Sequence, residues 1–164
     1  CQGMLPLVAY NYASGNWARM NETIRTTRVW GLSIAAASLA LFEIFAPGIV
    51  HVFLSTSVGN VADSTATIAF AAVFLRIRCV ASVPQFLNYS TSYCLQAVGD
   101  GRDTLLHAVV RELVFYIPFM YILNGLFGIN GLVSAIIAGE GCGAVFASIL
   151  LARWKKRSLV GEKA

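Results

Sequence analysis

The sequence predicts an all-α fold, a polytopic bundle of transmembrane helices, from three features. Its mean hydropathy is +0.69, with 57% apolar and only 12% charged residues, where a typical soluble domain carries about 25% charged residues. Its apolar residues gather into several runs long enough to cross a bilayer. Its Lys and Arg residues flank those runs and alternate with connections that have none. The formal net charge of +4 is therefore attributed to membrane topology and not to a phosphate-tracking surface, and no nucleic acid partner is expected.

The chain opens at Cys1 without a methionine or a charged leader, so no signal peptide is expected and the sequence reads as a C-terminal piece of a longer protein. Residues 1–13 read as the cytoplasmic end of a partial span. Asn11-Tyr12-Ala13-Ser14-Gly15-Asn16 has the residue types of a helix end followed by a loop. Segment 17–28 sets Arg19, Arg25 and Arg28 against Glu22, the pattern of a turn of amphipathic surface helix.

The first complete span is 29–54. It carries Glu43 and, four residues on, Pro47, which cannot donate to the carbonyl of Glu43, so a kink with a free carbonyl is expected. A polar loop, 55–67, contains Asp63 and no Lys or Arg. The second span, 72–98, bears a polar stripe of Ser82, Gln85, Tyr89, Ser92 and Gln96 at steps of three and four, widened by Asn88 and Tyr93. Lipid does not tolerate such a stripe, so it faces a helix or a water-filled cavity.

Residues 94–118, CLQAVGDGRDTLLHAVVRELVFYIP, organise the rest: a short polar turn joins two helices too apolar for an ordinary soluble domain, a tight hairpin between spans. The third span, 104–126, has Arg111 and Glu112 in its first turns and Pro118 near its middle. After the turn 124–131, the fourth span, 131–154, repeats Ala135, Gly139, Gly143 and Ala147 every four residues, a seam that admits a close neighbour. Residues 155–164 form a basic tail. Basic segments 17–28, 99–103 and 155–164 alternate with neutral loops, which puts the basic set and the C-terminus in the cytoplasm. Arg76 and Arg78, near the outer end of the second span, are expected to snorkel outward. The cysteines lack CxxC spacing, and neither a disulfide framework nor a zinc site is expected.

Glu140 is the sharpest candidate for function, since a carboxylate at membrane depth in a pump binds a cation or carries a proton; the plainer reading pairs it across the glycine seam. Glu43 is a second ion-coupling candidate, with satisfaction of the Pro47 kink as the preferred reading. Gln85, Asn88, Tyr89, Ser92, Tyr93 and Gln96 are candidate cavity lining: tyrosine rings attract organic cations and amides offer adaptable hydrogen bonds. Interhelical hydrogen bonding is the competing account. His51 and His107 read as interfacial, as do Arg111 and Glu112, with Arg111 paired to Asp100, Asp103 or a lipid phosphate. Lys155, Lys156 and Arg157 read as a topology determinant, with anionic-lipid contact secondary.

Several segments resemble the MATE family of multidrug exporters. Gln2-Gly3 through Pro6, then Tyr10-Asn11-Tyr12-Ala13-Ser14-Gly15-Asn16 and Arg19, resemble its "QG…P…YNYGAGN…R" segment, which closes the eighth of twelve spans. Tyr93, Gln96, Ala97, Gly99, Gly101 and Arg102 resemble the ending of its tenth span. Arg111, Pro118, Gly128, Gly131, Ala135 and Glu140 resemble a pattern across spans eleven and twelve. The resemblance implies most of the second six-helix lobe of a twelve-span transporter in a bacterial plasma membrane, one domain over 1–164, exchanging organic cations or drugs for H⁺ or Na⁺ without a further cofactor. Its partners would be the bilayer and the N-terminal lobe of the same protein. Asn11, Tyr12, Pro47, Arg111, Pro118, Gly139 and Gly143 become structural or gating positions. The sequence departs from the family in having no acid in the second complete span and Glu140 where Asp is more usual, so H⁺ and Na⁺ both stand.

Other classes are a lipid-linked oligosaccharide flippase of the same superfamily, which would call for a more cationic cavity, and a non-transporting helical partner or truncated product. An intramembrane enzyme is disfavoured by the absence of GxSxG and HExxH.

Overall fold

The computed structural model describes residues 1–57 and 64–161, and among these every regular element is helical. Asp63 with much of the polar loop 55–67, and the last residues of the tail, lie outside the described residues. Four segments are long and apolar enough to cross a membrane: Trp17–Val52, Thr67–Ala97, Gly101–Phe127 and Ile129–Ser158.

Helix α1, Met4–Ala13, gives way to α2, Trp17–Ser57, through a short turn. The Asn16 side-chain oxygen accepts from the Arg19 amide (3.1 Å), capping α2 at its start. No Gly or Pro follows until Gly31, so the helix continues through the basic segment. This corrects the expected boundary at 29. Segment 17–28 is an amphipathic helix with Arg19, Glu22 and Arg25 exposed, but it is the start of a long helix and not a separate turn. Its Met20 and Ile24 are buried against Met4, Val8, Cys94, Leu95, Leu151 and Trp154. Tyr12 stands edge-on to Trp17 (5.4 Å between ring centroids), and Trp154 packs beside both.

Pro47 lies within α2, and the carbonyl of Glu43 that it leaves without a helical donor accepts from Arg76 Nη2 (3.3 Å). Arg76 Nε also pairs with the Glu43 carboxylate (3.5 Å). Arg78 donates both terminal nitrogens to Gln85 Oε1 (3.2 Å each). Both arginines thus bond to neighbouring polar groups, where snorkelling was expected.

The second span is two helices: α3, Ser64–Val80, and α4, Ser82–Ala97, parted at Ala81. Pro84 is the cause, since it cannot donate to the carbonyl of Val80 four residues back. This span begins before the expected residue 72. It packs against α2 where Gly31 faces Phe86; a Cβ on Gly31 would stand 2.0 Å from that ring.

The following turn is tighter than expected. Gly99 takes the left-handed conformation (φ 77°) that closes α4. Asp100 caps α5, Gly101–Val109, by accepting from the Asp103 amide (3.1 Å). A π-helical segment, Val110–Tyr116, separates α5 from α6, Ile117–Phe127. Pro118 is the second residue after it, and the wider π turn moves the carbonyl that its ring would otherwise strike. Gly128 alone (φ 61°) then turns the chain into α7, Ile129–Gly161. The expected loop 124–131 and tail 155–164 are therefore mostly helix. The described cysteines are all free thiols.

Candidate functional site

Helices α4 and α7 and the π-helical segment converge on a polar cluster between the ends of the spans. Asn88, on α4, is fully buried. Its Nδ2 donates to the Glu140 carbonyl (3.0 Å) and to Glu140 Oε2 (2.7 Å) on α7. Its Oδ1 lies 3.2 Å from His107 Nε2, while His107 Nδ1 lies 2.8 Å from the Ser92 hydroxyl. The amide oxygen can only accept, so Nε2 carries the proton and Nδ1 accepts from Ser92, a tautomer assigned by the network. His107 is 1% exposed and stacks on Phe146.

Arg111 projects from the π-helical segment into the same cluster. Its Nη1 is 3.7 Å from Glu140 Oε2, its Nη2 bonds to Glu112, and its guanidinium lies over the Tyr89 ring, 5.3 Å from the centroid. The side chain of Glu140 is 12% exposed. The small-residue seam of α7 makes this approach feasible: a Cβ on Gly143 would come within 3.0 Å of Arg111 Cγ and 3.1 Å of Asn88 Nδ2, and one on Gly139 within 3.2 Å of Tyr116 Cα. Ala135 and Ala147 on the seam are fully buried. Beside the cluster opens a cavity of about 260 Å³, lined by Arg78, Gln85, Tyr89, Arg111, Tyr116 and Glu140 among others.

The predicted stripe on α4 therefore divides by role. Asn88 and Ser92 turn into the bundle, and Gln85 and Tyr89 face the cavity. Tyr93 stacks on Tyr89 (6.4 Å) and accepts from Gln2 Nε2 (3.3 Å) beside a second cavity. Gln96 is exposed at the helix end. Glu43 sits apart, with Arg76. Asn11 bonds back to the Leu7 carbonyl (2.8 Å), far along the bundle from the cluster.

Two expectations are corrected. His107 is not interfacial but buried, because α5 folds back on α4 and sets its imidazole opposite Ser92 and Asn88. Arg111 does not pair with Asp100 or Asp103: Asp100 caps α5, and Asp103 bonds to Arg157 of α7. Sequence reasoning also missed a bracing contact between α2 and α4, where Arg28 donates from Nε to Ser90 Oγ (3.1 Å) and from Nη2 to Thr91 Oγ1 (2.9 Å). The available signal was the last arginine of the 17–28 set, next to the apolar run, and the adjacent hydroxyl residues Ser90 and Thr91 in a later span.

Long apolar helices packed around a half-buried ion pair and its hydrogen-bonded neighbours define a polytopic helical membrane protein. The MatE family profile matches residues 1–122, and the chain belongs to that family. The multidrug export protein MepA of Staphylococcus saprophyticus is 27% identical over 164 residues, covering 99% of this chain and 34% of that protein. MepA of Staphylococcus aureus strain MRSA252 is 27% identical over 153 residues, covering 92% of this chain and 31% of that protein. The chain thus spans about a third of the length of these relatives. Among solved structures, an inward-facing multidrug resistance MATE transporter of the MOP superfamily superposes with a TM-score of 0.84 at 21% identity, over 99% of this chain and 36% of that one. An outward-facing one superposes with a TM-score of 0.77 at 21% identity, over 93% and 34%. The family is one of transporters, not enzymes.

Proposed function

We propose that the chain is most of the second six-helix lobe of a MATE-type antiporter that exports organic cations or drugs in exchange for H⁺ or Na⁺. In this reading α1 belongs to the eighth span and α7 to the twelfth, the membrane is a bacterial plasma membrane, and the basic ends, with the C-terminus, face the cytoplasm. The relatives named as multidrug export proteins support the class of substrate. The observation that carries the reading is the setting of Arg111: a flat, delocalised cation held by carboxylates, Glu112 in direct contact and Glu140 at 3.7 Å, and by the face of Tyr89, beside an open cavity. An aromatic drug cation asks for the same two kinds of partner. Glu140 is then the residue at which cation binding and ion coupling meet, and Arg111 a tethered cation that substrate displaces.

The test uses the full-length protein carrying this sequence in everted vesicles, with a fluorescent organic cation and either a proton or a sodium gradient. Glu140→Gln keeps an oxygen for Asn88 but removes the charge. Gradient-driven uptake is expected to fall at least roughly tenfold, the scale of losing an attraction of about 1.4 kcal/mol or more. Uptake equal to that of the unaltered protein would make Glu140 a packing residue and move the coupling site elsewhere.

A further inference from the structure

We propose that the groove between α5 and the C-terminal part of α7 binds one anionic phospholipid. The groove encloses about 630 Å³ and is lined by Asp103, Leu106, Leu150, Arg153, Lys156 and Arg157. One spanning segment begins at Gly101 and another ends at Ser158, so the groove lies where both helices leave the apolar layer, at headgroup depth. Its charge is not balanced internally. Asp103 is taken by Arg157, and Arg153 and Lys156 have no acidic partner among the described residues. These two stand three residues apart on one face of α7, aimed at the same volume.

The polarity of the groove changes along the helix axes. Leu150 lies three residues before Arg153, about 4.5 Å deeper at 1.5 Å per residue, and at 2% exposure it forms the closed floor of the groove. Leu106 lies three residues beyond Asp103 in the same direction and is 46% exposed. Cationic side chains thus sit at the rim with apolar ones beneath, the order a phospholipid presents from phosphate to acyl chain. A soluble phosphate would use the rim and leave Leu106 uncovered. The site owes nothing to the Glu140 cluster, and it stands if the transport reading fails.

The experiment uses the full-length protein in detergent, titrated separately with phosphatidylglycerol, phosphatidylcholine and inorganic phosphate, with bound lipid counted by native mass spectrometry and stability followed by thermal unfolding. Phosphatidylglycerol is expected to bind and stabilise, with the other two far weaker. The double variant Arg153→Gln/Lys156→Gln is expected to weaken phosphatidylglycerol binding roughly thirtyfold, as two basic contacts at a membrane surface would. Leu106→Trp keeps every charge and fills the groove, and it too is expected to weaken the lipid. Equal effects of phosphatidylcholine, equal effects of inorganic phosphate, or unchanged lipid affinity in both variants would each overturn the proposal.

Discussion

Glu140 and Glu43 are both glutamates within spanning helices, and their surroundings are opposites. The Glu140 side chain is 12% exposed, accepts from Asn88, faces Arg111 and borders a cavity. The Glu43 side chain is 40% exposed and meets a single arginine, itself 44% exposed, whose other bond fills the carbonyl that Pro47 left vacant. A carboxylate at membrane depth therefore does not mark a functional centre by its presence alone. What distinguishes Glu140 is convergence: two separate segments, α4 through Asn88 and the π-helical segment through Arg111, each bring it a polar or cationic group. Glu43 serves the local geometry of one kinked helix and the helix beside it.

The sharpest way to break this contrast is to remove each partner and compare the losses. Arg111→Met strips Glu140 of its cation while keeping the volume of the side chain; a buried pair broken on one side costs about 3 kcal/mol, and this one, 12–17% exposed, approaches that limit. Unfolding of the full-length protein in mixed micelles is expected to report a loss of that order, largely recovered when Glu140→Gln is added. A double variant no better than Arg111→Met alone would mean that Arg111 matters through its bond to Glu112, its contact with Tyr89 or its packing on Gly143.

A step smaller is Asn88→Ala. It removes the donor to Glu140 and leaves the proton on His107 Nε2 without its acceptor. Interhelical bonds in membranes average only about 0.6 kcal/mol each, but here one side chain joins α4 to both α5 and α7, and the groups it abandons are buried. A loss of about 2 kcal/mol is expected. Ser92→Ala, at the other nitrogen of the ring, is expected to lose less. The reverse order would place the weight of the network on the hydroxyl.

The contrast also explains how much of the molecule was legible in its sequence. That α2, α4 and α7 run through apolar spans was plain from composition, and the polar face of α4 followed from its spacing. The ends were not plain, because a single cap at Asn16 and the want of any breaker before Gly31 carry α2 through a stretch whose charges look like a loop. Pro84 was visible as a breaker, yet the α4 stripe suggested one continuous helix. Within the site, Asn88, Tyr89 and Glu140 could be named but not joined. Arg111 and Glu140 lie on different helices, and the π-helical segment alters which side chains face α7 after Val110. A regular helical wheel cannot anticipate that shift. His107 was lost for a related reason: the tight turn at Gly99 lets α5 fold closely onto α4, and a residue near a span end becomes one of the most buried in the chain.

The smallest expected effect belongs to the outer pair. Arg76→Met removes both the ion pair to Glu43 and the bond to its carbonyl, but each of these side chains retains substantial exposure. A pair in such a setting contributes about 0.5 kcal/mol, and the freed carbonyl adds about as much again when it has no other donor. Arg76→Met is therefore expected to cost no more than about a third of the loss from Arg111→Met, with transport rates of the full-length protein unaltered. Glu43→Gln, which keeps an acceptor for Arg76, is expected to cost less still. A loss in Arg76→Met that rivals Arg111→Met would show that another part of the full-length protein encloses this face. The two glutamates would then differ in their partners but not in their burial, and Glu43 would return as a candidate for ion coupling.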